Sequence, residues 1–169
     1  MHPETPAEGR LLEDMFAGSG MDIDAMNARL KLAADREGLP YGARTHTYNS
    51  RLAQELGAWA ETQTGGEAIH DALFRAYFVG GQNIGDTEIL VNVAESVGLS
   101  AALAREVLDE RRFQDKVDAD WSKSRRVGVT GVPTFVAGDQ KLVGAHPYEV
   151  LEEFLQQAGT GETKPGDFA

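Results

Sequence analysis

Side chains that perform chemistry are sparse in this sequence. Its 169 residues contain no cysteine, so they supply no thiolate nucleophile, no disulfide and no cysteine ligand for a metal or cluster. The histidines lie far apart, without acidic partners at a ligand-like spacing; they are His2, His46, His70 and His146. No serine lies in a Gly-x-Ser-x-Gly elbow, the turn that exposes a hydrolase nucleophile. We therefore predict no catalytic residue, no metal site and no cofactor.

Two further polar patterns have an ordinary structural explanation. The glycine-rich residues 80–85 loosely resemble a phosphate loop, but they follow a predicted helix and no lysine comes after them. We interpret them as the end of that helix. The acidic pairs Asp118 with Asp120 and Glu152 with Glu153 are interpreted as solvated faces, because acid–base catalysis would also need a cleft.

Composition and charge restrict the class of protein. Hydrophobic residues make up 41% and charged residues 25%, which is typical of a globular chain. The net charge of −11 disfavours nucleic acid and anionic lipid surfaces as partners. No apolar run has the length of a membrane span, and residues 1–6 do not resemble a secretory signal. We therefore predict a cytoplasmic protein that binds neither membranes nor nucleic acid.

The spacing of apolar residues predicts helices from residue 22 to residue 127, after a loop and a short helix over residues 10–17. The first long helix has a predicted buried stripe of Ile23, Met26, Leu30 and Ala34. The helix starts that follow are Asn49 or Ser50, residue 67, Asp86 or Thr87, Ser100, and residue 113. We predict that Trp59 and Trp121 pack in the core. Six helices with short, glycine-closed connections would form one helical subdomain.

The pattern changes at Gly128. Residues 134–137 are β-branched or aromatic and predict a strand, which a Gly-Asp turn joins to a second strand over residues 141–144. Pro147 then suits the first turn of a final helix. The predicted core face of that helix is Val150, Leu151, Phe154 and Leu155. Because an isolated two-stranded hairpin is marginal in water, another element must complete the sheet.

The segment GVTGVPTFVAGDQKLVGAHPYEVLEEFL, residues 128–155, resembles the C-terminal end of DsbA-family thioredoxin-fold oxidoreductases, and among them the FrnE-like branch. Residues 2–9 are similar to the loop that follows the family's second strand. Tyr48-Asn49-Ser50 and residues 94–99 are similar to positions in its helical insertion. The resemblance covers nearly all of residues 1–158, and the Gly-Val-Thr-Gly-Val-Pro-Thr-Phe stretch is its specific part.

The resemblance implies an α/β, thioredoxin-like fold with a large helical insertion. Residues 1–20 would be the loop and short helix after the second strand, and 21–127 the insertion. Residues 128–158 would be the closing strand–strand–helix, and 159–169 a mobile tail. The family's first strand and its Cys-x-x-Cys helix have no counterpart here, so we expect an N-terminal βα unit of roughly 30 residues to be missing.

The resemblance also implies a candidate site. The family's proline before the third strand is cis and faces the redox pair, which here corresponds to Pro133. Thr130, Gly131, Val132 and Pro133 would then form a loop whose Val132 backbone pairs with an extended polypeptide. Asn49 has two interpretations, an N-cap of the helix that follows it, or a contact to a substrate or glutathione-like ligand.

Three functions remain open on the sequence, and they leave open whether the chain is an enzyme. The family function is thiol–disulfide oxidoreduction, but a chain without cysteine would be inactive in it. Alternatively, the chain is a non-catalytic binding or assembly module, whose exposed sheet edge pairs with another chain, as in a homodimer, and whose cis-proline loop holds a peptide. A third alternative is a glutathione-dependent isomerase or transferase of the kappa-like relatives.

Overall fold

A computed structural model describes residues 4–159 of the protein. It divides into two units, and the division falls between Ala119 and Asp120. In chain order the elements of the first unit are β1 (Arg10–Leu11), α1 (Leu12–Met15), α2 (Ile23–Arg36), β2 (His46–Thr47), α3 (Arg51–Ala60), a 3₁₀ turn (Gly66–Ala68), α4 (Ile69–Phe78), α5 (Thr87–Ser96) and α6 (Ala101–Asp109). Helix α7 (Gln114–Arg126) contains the division, and β3 (Thr134–Ala137), β4 (Gln140–Val143) and α8 (Tyr148–Gly159) follow it.

The helices of the first unit begin where short-range signals predict. The side chains of Asp22, Asp86 and Ser100 accept hydrogen bonds from the first free backbone N–H groups of α2, α5 and α6. The apolar stripes of α3 to α6 then form one core, in which Leu56, Ile69, Leu90, Leu108 and Trp59 are buried. The predicted core position of Trp59 is therefore confirmed, whereas Trp121 in α7 is only half-buried.

The predicted buried stripe of α2 is wrong. No residue of α2 is buried, and Leu30 is exposed, while Ile23, Met26 and Ala34 are only half-buried. Amphipathic spacing shows which face of a helix is apolar but not whether another element covers that face. Within the described residues, none covers the stripe of α2 completely.

A short sheet in the first unit has no signal in the sequence. Strand β1 pairs antiparallel with β2, with Arg10 opposite Thr47 and Leu11 opposite His46. The predicted helix over residues 10–17 is therefore only partly correct, because residues 10–11 are extended and α1 is a single turn. Strands of two residues are too short to show an alternating pattern.

The second unit contains the predicted hairpin and final helix. Strands β3 and β4 pair antiparallel over four residues each, and they form a sheet of two strands within residues 4–159. Of the predicted core face of α8, Phe154 is buried and Leu151 half-buried, but Val150 and Leu155 are exposed. That part of the prediction is wrong, because the described part of this unit has too little material to cover a full helix face.

The predicted tail lies almost wholly outside the described residues, which end at residue 159. No helix within residues 4–159 combines the length and the apolar character that crossing a bilayer requires. The cytoplasmic location stays a prediction.

One carboxylate is buried in the helical unit. Glu55 in α3 is 1% exposed, and its two oxygens accept hydrogen bonds from the Arg111 guanidinium at 2.8 and 2.6 Å. Arg51, one turn earlier in α3, donates to the same carboxylate at 3.1 Å. Arg111 lies between α6 and α7 with φ +53°, a left-handed backbone conformation that residues other than glycine rarely adopt. Its ion pair with Glu55 therefore outweighs an unfavourable backbone conformation.

The conformation of Arg111 gives a test of this balance. We expect Arg111→Ala to lower the free energy of unfolding by about 2 kcal/mol and Arg111→Gly to lower it by about 1 kcal/mol, because each leaves the buried Glu55 with one cationic partner instead of two. Glycine adopts the left-handed region freely, so Arg111→Gly should be more stable than Arg111→Ala by about 1 kcal/mol. Urea unfolding of the three proteins measures both differences. An alanine variant as stable as the glycine variant would show that the backbone at residue 111 is unstrained.

Candidate functional site

The loop before β3 is held by hydrogen bonds at both of its ends. The Thr134 hydroxyl donates to the Gly131 carbonyl at 2.6 Å, and the Gly144 N–H donates to the Pro133 carbonyl at 2.8 Å. The peptide bond between Val132 and Pro133 is cis, the geometry that the family resemblance implies. These contacts give residues 130–133 a defined conformation next to the first residue of the strand.

Val132 is the most exposed large apolar residue of the described chain, at 80%. No hydrogen bond joins its N–H or C=O to another described backbone group. Val143 and Tyr148, which are also in the second unit, are exposed as well, at 53% and 72%. The loop therefore presents a peptide unit without a backbone partner among residues 4–159, and the second unit exposes other apolar side chains.

The register of the hairpin determines which backbone groups of β3 are free. In an antiparallel pair, residues alternate between those that bond to their partner and those whose N–H and C=O point outward. The bond between Gly144 and Pro133 makes that pair a bonded one, so Thr134 opposite Val143 and Val136 opposite Lys141 are outward-pointing pairs. Because no other described strand pairs with β3, Thr134 and Val136 offer donors and acceptors along an open edge.

Asn49 lies in the other unit, immediately before α3. Its Oδ1 accepts a hydrogen bond from the Arg51 N–H at 3.0 Å, while Ser50 occupies the N-cap position without a side-chain cap bond. Asn49 thus satisfies a free N–H at the start of the helix, as the capping interpretation expects. Its alternative role as a ligand contact stays a prediction.

The described histidines each contact neighbouring protein groups. The His46 ring bonds Thr45 and stacks on Tyr48, the His70 ring contacts Glu61, and the His146 ring bonds the Val143 carbonyl. His2 lies outside the described residues. Among residues 4–159 no group of three or more histidine, aspartate or glutamate side chains could hold a metal ion.

The glycine-rich residues 80–85 lie at the end of α4, as predicted. The Gly80 N–H bonds back to the Arg75 carbonyl, and Gly81 has φ +61°.

Sequence reasoning missed the cluster around Arg51. Asp118, interpreted from the sequence as part of a solvated acidic face, instead accepts a hydrogen bond from Arg51 Nη2 at 2.5 Å, and the same nitrogen bonds the Gln114 carbonyl at 3.1 Å. Burial opposes the charge of Arg51, but hydrogen bonds and attraction from Asp118 and Glu55 raise its pKa. Glu55 likewise raises the pKa of Arg111, mainly through their hydrogen bonds. The one available signal was the position of Glu55 within the apolar stripe of α3, four residues after an arginine.

Comparisons with known proteins agree with this architecture. The family model of the DSBA-like thioredoxin domain matches residues 4–156. The uncharacterized protein YwbO of Bacillus subtilis is 36% identical over 111 residues, which are 65% of this chain and 55% of that protein. The chain thus spans about half the length of this curated relative.

Solved structures are similar over most of the chain. A probable DsbA oxidoreductase from Streptomyces coelicolor is 30% identical with a TM-score of 0.85, over 96% of this chain and 74% of that one. A 2-hydroxychromene-2-carboxylate isomerase is 19% identical with a TM-score of 0.68, over 89% of this chain and 79% of that one. A putative protein disulfide isomerase from Nitrosomonas europaea is 15% identical with a TM-score of 0.68, over 94% and 80%. The last two similarities concern the fold alone.

These matches confirm the α/β, thioredoxin-like fold and the family predicted from residues 128–155. They do not test the missing N-terminal unit, which stays a prediction. Since the family model extends from residue 4 to residue 156, well over half of the sequence, the chain belongs to the DSBA-like thioredoxin domain family.

Proposed function

We propose that this chain is a redox-inactive DsbA-like domain that binds an extended polypeptide segment along the open edge of β3. Thiol–disulfide exchange proceeds by attack of a thiolate on a disulfide, and these 169 residues contain no cysteine. What the chain retains is a surface that can hold a polypeptide. The observation that carries the proposal is the row of backbone groups at Val132, Thr134 and Val136 that have no backbone partner within the described part of the chain.

Addition of a strand explains how such an edge binds. Main-chain hydrogen bonds to Thr134 and Val136 supply affinity that depends little on sequence, and the exposed side chains around them add apolar contact. Residues 132–137 carry no charge, although the whole chain carries −11. An incoming segment therefore meets no like charge from the strand itself.

A second copy of the chain is a further partner for the same edge. An unpaired, uncharged strand edge is a template for pairing, and two β3 strands can pair antiparallel about a twofold axis. We propose a homodimer of this kind, which would compete with a bound peptide for the same backbone groups. The two partners can therefore be distinguished by varying the concentrations of the chain and of the peptide.

The predicted redox inactivity can be tested in an insulin-reduction assay that includes an active enzyme as a positive control. We expect the purified chain to leave the rate of insulin reduction by dithiothreitol at the value of the blank, because it supplies no thiolate. A dithiol oxidoreductase assayed in parallel shows that the conditions detect turnover. Acceleration that increases with the concentration of the pure chain would contradict redox inactivity.

Two proline variants test the edge of β3. Val136 and Lys141 face each other in an outward-pointing pair, so Val136→Pro removes a donor from the free edge of β3 and Lys141→Pro removes one from the free edge of β4. With the reduced, alkylated insulin B chain as the probe, we expect fluorescence anisotropy to show at least tenfold weaker binding for Val136→Pro. Lys141→Pro, the matched control, should bind within about twofold of the parent. Equal affinity of all three proteins, or no binding by the parent at millimolar peptide, would refute the proposed site.

Self-association is tested by sedimentation velocity over a range of protein concentrations. We expect the parent chain and Lys141→Pro to form dimers at micromolar concentration, and Val136→Pro to remain a monomer. Excess insulin B chain should also convert the parent dimer to monomer. A parent chain that is monomeric throughout would remove the second copy as a partner but leave peptide binding to be judged from the anisotropy data.

A further inference from the structure

Helix α7 has little apolar attachment. Val117 is its one buried side chain, whereas α3 buries six residues. A helix of 13 residues is marginal in water without tertiary packing. The stability of α7 therefore depends strongly on contacts other than core packing.

A charged contact supplies part of that attachment. Arg51 Nη2 donates both to the Gln114 carbonyl, at the first residue of α7, and to the Asp118 carboxylate one turn later. We call these two hydrogen bonds the Arg51 latch. Arg51 itself extends from α3, whose apolar side chains are part of the core, so the latch joins a loosely packed helix to a firmly packed one.

Arg51 binds two carboxylates, an inner one outside the latch and an outer one within it, and the two differ in their access to water. Glu55, the inner carboxylate, is fully buried and also bound by Arg111, so dissolved salt screens it weakly. Asp118, the outer carboxylate, is 52% exposed. Salt and water can therefore compete for Asp118 while Arg51 keeps its bond to Glu55.

Helix α7 lies where the chain divides into its two units, because the division falls inside this helix, directly after Ala119. We propose that the Arg51 latch controls local unfolding of α7, so that this helix opens at high salt or on loss of Asp118 while α3 to α6 remain folded. Sub-global opening of this kind occurs where few apolar contacts hold an element.

Hydrogen exchange of the full chain, followed by mass spectrometry, tests the proposal with two isosteric variants. Asp118→Asn removes the charge bound by Arg51. Asp115→Asn removes a charge from the first turn of the same helix, three residues before the carboxylate that Arg51 Nη2 binds. We expect amides of α7 to exchange about fivefold faster in Asp118→Asn and within about twofold of the parent in Asp115→Asn. Protection of α3, α5 and α6 should be unchanged in both.

Salt dependence provides the second measurement. In 0.5 M sodium chloride, where the screening length is about 4 Å, exchange in α7 of the parent should approach that of Asp118→Asn, and exchange in that variant should not change further. Equal α7 exchange in the parent and Asp118→Asn would overturn the proposal. A parallel loss of protection in α3 and α6 would also overturn it, because the pair would then stabilise the whole unit rather than one helix.

Discussion

The buried carboxylate of Glu55 constrains the helical unit more than any other polar group described. An ionised carboxylate is costly to bury unless it has a charged partner and satisfied oxygens, and here Arg51 and Arg111 provide both. Arg111 reaches it by adopting a left-handed backbone conformation, and Arg51 extends the charge pattern outward to Asp118. One acidic side chain in α3 thus joins the turn between α6 and α7 to the core of the helical unit.

The second unit is stabilised differently. Its described part buries one large side chain, Phe154, and its sheet has two strands. Backbone pairing in the hairpin and the hydrogen bonds around residues 131–144 therefore contribute a large share of its local order. Exposed apolar side chains and an open strand edge are the features of a surface that gains stability from a partner.

The sequence predicts what depends on neighbouring residues and fails where distant ones decide. Caps at Asp86 and Ser100, glycine helix ends and the hairpin at residues 134–143 all follow from local chemistry, and the structure contains them. The burial of α2 and of Leu155 could not be predicted, because burial depends on what lies opposite a helix face.

The loop before β3 and the cluster around Arg51 also differ in how far the sequence predicts them. The loop at residues 130–133 is predicted as a site only by its resemblance to a family, since its residue types alone indicate a turn. The contact between Arg51 and Asp118 joins residues 67 positions apart, and no periodic pattern reports such a pair. Glu55 could have been noticed as an acid within an apolar stripe, but its partner Arg111 lies in a turn with no recognisable signal.

The turn of the hairpin has one more implication. Gly138 and Asp139 make up a two-residue connection, with Gly138 at φ +56°. A two-residue connection is closed by a hydrogen-bonded pair, which here is Ala137 with Gln140. The alternation of the antiparallel ladder away from this pair then makes Val136 and Thr134 the positions of β3 whose N–H and C=O face away from β4. The recognition properties of this edge are therefore encoded partly in a connection that touches no ligand.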